Sequence, residues 1–253
     1  MQEQFELLKE TILSKSDRKV VYYFPNKGNW GDALIRQGTL KFLSDAEIDF
    51  VEIKKIDAKT YDNLDKHRLA LFGGGGAWCK LWTHPLEIVE KLSRKQNVVI
   101  MPSTFEIRPE FENTTYFSRD LYESMQNRPG SYFCHDMAFY LGEDYHPAKQ
   151  GKGEGHFFRT DHESAGKIQI PKTNLDISTK GKHLSGIRRF FRIVNRFETV
   201  FTDRLHVSIA ACLLGKKVNI YPGSYFKNLA VYKSSMEGKY EAASFQGDFG
   251  FSS

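Results

Sequence analysis

Apolar side chains recur at helical spacing from Phe5 to Leu13, and the run Lys19-Val-Val-Tyr-Tyr-Phe24 then reads as a buried strand that stops at Pro25-Asn-Lys-Gly-Asn-Trp-Gly31. Asp32 to Leu43 resumes the helical pattern, with Leu34, Ile35, Leu40 and Leu43 apolar. The same order repeats: strands at Ile48 to Ile53 and Leu69 to Phe72, a glycine loop at Gly73 to Gly76, a helix at Leu86 to Lys95, and a strand at Val98 to Met101. Short apolar strands alternating with helices predict a parallel sheet covered on both faces. The loops that follow the strands then share one sheet edge, where open α/β sheets bind ligands.

After Tyr132-Phe-Cys134 and a helical stretch from Met137 to Leu141, the chain becomes rich in glycine and charge between Gly142 and Gly155, which reads as a linker. Beyond it the alternation restarts. A strand is predicted at His156 to Arg159, a helix from about Leu184 to Phe197, and a strand at Thr199 to Phe201. A helix from about Leu205 to Leu214 and a strand at Lys217 to Tyr221 follow. The expectation is two Rossmann-like parallel-sheet α/β domains, 1–145 and 146–253, the second smaller and with about three strands, facing each other across a cleft.

With 253 residues, 20 Phe, 12 Tyr and 40% hydrophobic residues, the chain can bury a substantial core, which excludes disorder. No apolar stretch approaches the roughly 20 residues of a membrane span, and the first residues lack the pattern of a secretory signal, so the expected location is the cytoplasm. Cys79, Cys134 and Cys212 are odd in number and widely spaced, which supports neither a disulfide framework nor a zinc site; Cys212 reads as a small buried hydrophobe. The net charge is +5, with Arg188, Arg189, Arg192 and Arg196 at i, i+1, i+4 and i+8 beside Phe190, Phe191 and Phe197. That stripe reads first as a core-packing helix with a solvated basic face and second as a contact for anionic headgroups at the inner face of a membrane. A nucleic-acid partner is not expected.

The Gly73–Gly76 loop does not fit G-x-G-x-x-G, since Trp78 and Cys79 stand where the last glycine is required; Gly28-Asn-Trp-Gly31 fails as well, and no P-loop is present. A nicotinamide or P-loop nucleotide is therefore not expected, nor a metal, because His135, His146, His156 and His162 have no cysteine at ligand spacing; His162, between Asp161 and Glu163, is the one local exception. Thr202-Asp-Arg-Leu-His206 is more specific. Three ionisable groups stand between a strand and a strongly apolar helix, where a core has no use for them. Arg204 can offer a planar fork to a carboxylate or phosphate, His206 can exchange a proton near neutral pH, and Asp203 can cap the helix or orient a neighbour.

Phe201-Thr-Asp-Arg-Leu-His206 followed by Ile209-Ala-Ala-Cys-Leu-Leu-Gly-Lys216 resembles the signature helix of the polysaccharide pyruvyl transferases. Asn26-Lys-Gly-Asn-Trp-Gly-Asp-Ala-Leu-Ile35, Phe72-Gly-Gly-Gly-Gly76 and Cys134-His-Asp-Met-Ala-Phe-Tyr-Leu141 resemble three further family segments in order, with weaker matches at Phe158 to Glu163 and Pro222 to Asn228. The sequence departs from the pattern at Val207, Ser208 and Lys217. The resemblance implies a fold like the two-domain GT-B glycosyltransferases. It also implies transfer of pyruvate from phosphoenolpyruvate onto two hydroxyls of a sugar in a polysaccharide or a lipid-linked precursor, as a cyclic ketal, with release of phosphate. The Arg-Leu-His element would hold the donor in the second domain, and the histidine would act in proton transfer.

On that reading His206 and Arg204 are the catalytic candidates, and Arg204, Arg119, Arg159, Ser224 and Lys227 the donor-binding ones. Asn29, Gly31, Asp32, Gly74, Gly75 and Ser103 form the acceptor side in the first domain, with Asp32 equally readable as a helix cap. Phosphoenolpyruvate is the co-substrate and no cofactor is expected. Two alternatives compete. One is a nucleotide-sugar glycosyltransferase recruiting Glu237 or Glu241. The other is a carbohydrate-binding module that stacks sugars on Trp30, Trp78 and Trp82.

Overall fold

The computed structural model describes residues 1–80, 84–145, 151–161, 163–166 and 169–247. Trp82, His146 and His162, and part of the expected linker, lie outside the described residues. In chain order the elements are α1 (Gln2–Ser16), β1 (Val21–Phe24), α2 (Trp30–Asp45), β2 (Phe50–Glu52), α3 (Ala58–Asp62), β3 (Ala70–Phe72), β4 (Gly75–Trp78), α4 (His84–Ser93), β5 (Val98–Phe105), β6 (Thr114–Ser118), α5 (Glu123–Asn127) and β7 (Tyr132–Phe133). They continue with β8 (Glu154–His156), α6 (Arg188–Val194), β9 (Thr199–Thr202), α7 (Leu205–Leu213), β10 (Lys217–Ile220), α8 (Lys227–Ser235) and β11 (Ala243–Phe245).

Two parallel sheets result. A seven-stranded sheet has the order β2-β1-β3-β5-β6-β7, with β4 also paired to β5, and a four-stranded sheet has the order β11-β10-β9-β8. The chain divides into two compact units, one of residues 1–26 and 38–137, the other of residues 27–37 and 138–253. The turn into α2 and the first half of that helix therefore belong to the unit built on the smaller sheet.

In the first unit, β1 and β5 are buried along their whole length, as expected of strands covered on both faces. Trp78, fully buried, packs against the rings of Phe72 and Phe105 at 5.8 and 6.0 Å between centroids. Pro102 interrupts the sequence signal for β5 after Met101, yet the strand runs on to Phe105. The reason is local. β5 pairs with β3 through Ile100 and with β4 from Ser103, and its register on β6 shifts between those residues, so Pro102 sits where no ladder bond is asked of its missing N–H. Gly75 and Gly76, expected in a loop, belong to β4, and Gly75 has φ 117°, which favours glycine.

In the second unit α7 is apolar all round and packs on β9 and β10. Gly215, at φ 64°, closes it in the left-handed conformation, its N–H donating to the Cys212 carbonyl. Helix α6 is shorter than the expected 184–197 span. Its Phe190, Phe191 and Val194 are buried while Arg188, Arg189, Arg192 and the following Arg196 are exposed. β8 begins inside the glycine-rich stretch and ends at His156, so Arg159 follows the strand instead of lying in it. β6 and β11 carry too short a pattern to be read from sequence, α8 (KNLAVYKSS) has too few apolar residues, and β11 adds a fourth strand where about three are expected.

The backbone of Gly74 lies against the Pro102 carbonyl, so a methyl group there would collide with main chain that cannot rotate away. Gly74→Ala is expected to lower stability by about 1–3 kcal/mol, the usual penalty of overpacking. Chemical denaturation of both proteins checks this, and an unchanged midpoint would show that the two segments can separate freely.

Candidate functional site

Parallel register in the smaller sheet brings the exits of β8, β9 and β10 to one edge. β8 is followed by Arg159, β9 by Asp203 and Arg204, and β10 by the turn that leads to Ser224 and Lys227. Cross-links hold these exits together. Thr202 Oγ1 donates to the Phe157 carbonyl at 2.8 Å, and Asn228 Nδ2 donates to the carbonyls of Asp203 (2.6 Å) and Tyr221 (2.9 Å).

The charged groups form one network. Arg204 grips Asp176 with both arms of its guanidinium, Nε to Oδ1 at 3.0 Å and Nη2 to Oδ2 at 2.5 Å, and reaches Asp161 Oδ2 at 2.8 Å. Arg159 also holds Asp161 (2.8 Å) and binds Glu163 (2.6 Å), which in turn accepts from Lys227 Nζ at 2.9 Å. Ser224 joins through its N–H on the Glu163 carbonyl, and the Lys227 ammonium lies 4.8 Å from the centre of the Tyr225 ring. Three cations thus face three carboxylates. All are buried except Asp161, whose side chain is 33% exposed. Burial works against the charge of Arg159, but Glu163 and Asp161 outweigh it and raise its pKa. Burial likewise opposes the Asp161 carboxylate, and Arg159 and Arg204 outweigh it and hold its pKa low.

Asp203 does not cap α7; its Oδ1 accepts the N–H of Arg159 at 2.7 Å. Burial pushes its pKa up to about 6, against the pull of that N–H and of the charges on Arg159 and Arg204. The N–H of Arg204, at the start of α7, donates to Thr202 Oγ1 instead. Within α7 every residue is buried except His206. An ionisable ring adds little to the packing of so apolar a helix, and His206 alone in α7 keeps contact with solvent.

The segment 27–37 supplies the other wall of His206. Asn29 and Asp32 form a reciprocal cap at the start of α2, with Asp32 Oδ2 accepting the Asn29 N–H at 2.8 Å and Asn29 Oδ1 accepting the Gly31 N–H at 2.7 Å. A Cβ on Gly31 would come within 2.5 Å of His206 Nδ1, so only glycine lets helix and imidazole approach this closely. The backbone of Asn29 pairs with Lys182, the N–H of His183 donates to the Gly28 carbonyl, and Trp30 Nε1 donates to the Gly186 carbonyl at 3.1 Å.

Of the residues expected from sequence, Arg204, Arg159, Lys227 and Ser224 meet in the network, His206 lies in the first turn of the adjacent helix, Gly31 stands at its ring, and Asn29 and Asp32 cap the helix that carries Gly31. Gly74, Gly75, Ser103 and Arg119 belong to the other unit. There Ser103 is buried with its hydroxyl on the Met101 carbonyl, and Arg119, 1% exposed, is bound to Asp136 (2.6 Å) and Thr104 (2.8 Å). Arg119 thus belongs to a buried ion pair of that unit. Trp78 is fully buried, and Trp30 is 4% exposed with its edge on Phe190, so neither offers a face to a sugar. Asp176 was missed altogether, because an acidic residue in an irregular stretch carries no periodic or motif signal. Cys212 is the small buried residue expected of it, and burial raises its pKa to about 12.

Gly31→Ala is expected to turn the His206 ring aside at little cost in stability, since a side chain yields more readily than main chain and alanine is otherwise the better helix former. The His206 imidazole resonances should shift while the melting temperature changes little; unaltered resonances would refute the contact. Asp203 has a folded-state pKa above the usual 3.8, so its contribution to stability is complete below about pH 4 and is lost as pH rises through about 6. Relative to Asp203→Asn, the native chain should lose on the order of 2–3 kcal/mol over that interval. Parallel stability curves from pH 4 to 7 would contradict it.

A family model described as polysaccharide pyruvyl transferase matches residues 29–222, from the cap of α2 to the turn after β10. Among solved structures, a functionally uncharacterised protein from Klebsiella pneumoniae subsp. pneumoniae NTUH-K2044 superposes with a TM-score of 0.81 at 27% identity, over 98% of this chain and 99% of the other. No curated protein matches. Since the family match takes in both the Asn29–Asp32 cap and the Arg204–His206 turn, and the α/β fold agrees along the whole chain, the protein belongs to the polysaccharide pyruvyl transferase family.

Proposed function

We propose that the protein transfers the pyruvyl group of phosphoenolpyruvate onto two hydroxyls of a sugar in a polysaccharide or its lipid-linked precursor, forming a cyclic ketal and releasing phosphate. Family membership supports pyruvyl transfer to a polysaccharide. The observation that carries the finer reading is the meeting of Arg159, Arg204 and Lys227 at the start of α7, the helix whose one accessible residue is His206.

Phosphoenolpyruvate bears a carboxylate and a phosphate, anions that guanidinium forks and an ammonium bind well. Asp161, the accessible carboxylate, bridges Arg159 and Arg204, and a donor anion would take its place there. Asp176 and Glu163 would keep the cations aligned. In the first step C3 of the donor gains a proton, a sugar hydroxyl adds to C2, and that hydroxyl's proton is lost. In the second the C2–O bond to phosphate breaks, the neighbouring hydroxyl closes on C2, and its proton leaves with the phosphate. His206 is the group assigned to move these protons. The sugar would approach from the Asn29–Asp32 side. Any share of Gly74, Gly75 and Ser103 in binding it would come through main chain, since the Ser103 hydroxyl is already engaged.

Incubation with phosphoenolpyruvate and a panel of galactosides, read as phosphate release and as a ketal methyl signal, tests the reaction. His206→Ala should lower turnover by roughly 100- to 10,000-fold and leave donor binding nearly intact. Arg204→Ala would strand Asp176 and risk the fold, so Arg204→Lys is the cleaner probe, keeping the charge and losing the fork. It should weaken donor binding by about 1.5–3 kcal/mol. Normal turnover in the His206 variant, or nucleotide-sugar consumption without phosphate release from phosphoenolpyruvate, would defeat the reading.

A further inference from the structure

The positive charge of this protein is concentrated in one short stretch. Between Ile177 and Phe197 there is no Asp or Glu, while Lys180, Lys182, Arg188, Arg189, Arg192 and Arg196 contribute six cations. The rest of the chain holds thirty basic residues against thirty-one acidic ones, a net charge of −1, so the whole +5 excess is owed to this segment. All six side chains are exposed, and none forms an ion pair with another described residue. Elsewhere cations are paired even at the surface, as in Lys9–Glu6 and Lys41–Asp45. Six neighbouring cations without counter-charges repel one another, a cost that a solvated helix face escapes by interspersing acids.

The segment is also firmly built. Phe190, Phe191 and Val194 anchor α6, and the preceding turn is tied to the α2 loop through Lys182–Asn29, His183–Gly28 and Gly186–Trp30. The cations are therefore displayed on the outer side of an element whose other side holds the loop abutting His206. Leu184, 43% exposed, stands among them as an apolar contact. The aromatic residues of the stretch are turned inward, so it offers no stacking platform for bases, which single-stranded nucleic acid would require. Cations mixed with an exposed leucine suit the headgroup layer of an anionic bilayer.

We propose that residues 180–196 dock the protein on an anionic lipid surface, with the His206 site held beside that surface. The docking goes beyond the donor reading and stands without it, because vesicle binding involves no turnover. Among the described residues no helix is long and apolar enough to cross a membrane, so attachment of this kind would be peripheral and salt-sensitive.

Co-sedimentation of the full chain with phosphatidylcholine vesicles, and with phosphatidylcholine–phosphatidylglycerol vesicles, tests this. Binding is expected only to the anionic vesicles and should be lost toward about 0.5 M salt. The triple variant Arg188→Gln, Arg189→Gln, Arg192→Gln should bind on the order of 100-fold more weakly, at about fivefold per cation, with unchanged turnover on a soluble acceptor. Should that variant fold poorly, Lys180→Gln, Lys182→Gln, Arg196→Gln serves instead. Absence of binding, equal binding to neutral vesicles, equal binding by a well-folded variant, or equally tight binding to duplex DNA at the same salt would each overturn the proposal.

Discussion

The paired grip of Arg204 on Asp176 is the interaction on which the rest of the site depends. Buried as they are, neither charge could stand alone, because an uncompensated ion in such a position costs several kcal/mol. Asp176 also accepts the N–H and hydroxyl of Thr160, fixing the loop that carries Arg159 and Asp161. Through Asp161 and Glu163 the same constraint extends to Arg159 and Lys227. Charges gathered at the end of three strands are thus kept rigid by acids drawn from neighbouring loops. Of these acids only Asp161 remains partly exposed.

A second constraint is steric. The start of α2 reaches His206 only because position 31 has no side chain, and Asn29 and Asp32 spend their polar groups on capping the helix that makes this approach. Residues that resemble ligand-binding groups in the sequence therefore act first on the histidine's surroundings. The glycines at 74 and 75 have comparable explanations in close packing and positive φ, which is why glycine loops alone say little about ligands.

Legibility in the sequence followed physical range. Buried strands such as Val21–Phe24 and the apolar helix Leu205–Leu213 announce themselves through local hydrophobicity, and Arg204 and His206 stand out because they break that pattern. Asp176 broke none. The burial of Arg119 was not legible either, since nothing nearby in the chain reveals Asp136 or Thr104 waiting in the fold. The stripe at Arg188–Arg196 was readable as basic and amphipathic, but the absence of ion pairs around it among the described residues is a property of the folded surface.

The sequence by itself determined the alternation of strands and helices, from which parallel sheets follow, and the ionisable turn between β9 and α7, because each element depends on neighbours within a few residues. Tertiary structure alone decided which charges meet. It drew residues 27–37 to the unit of the smaller sheet, set Gly31 against His206 and closed the Arg204–Asp176 pair across 28 positions of chain. Such contacts are selected by burial and charge balance among distant segments, and no local pattern encodes them.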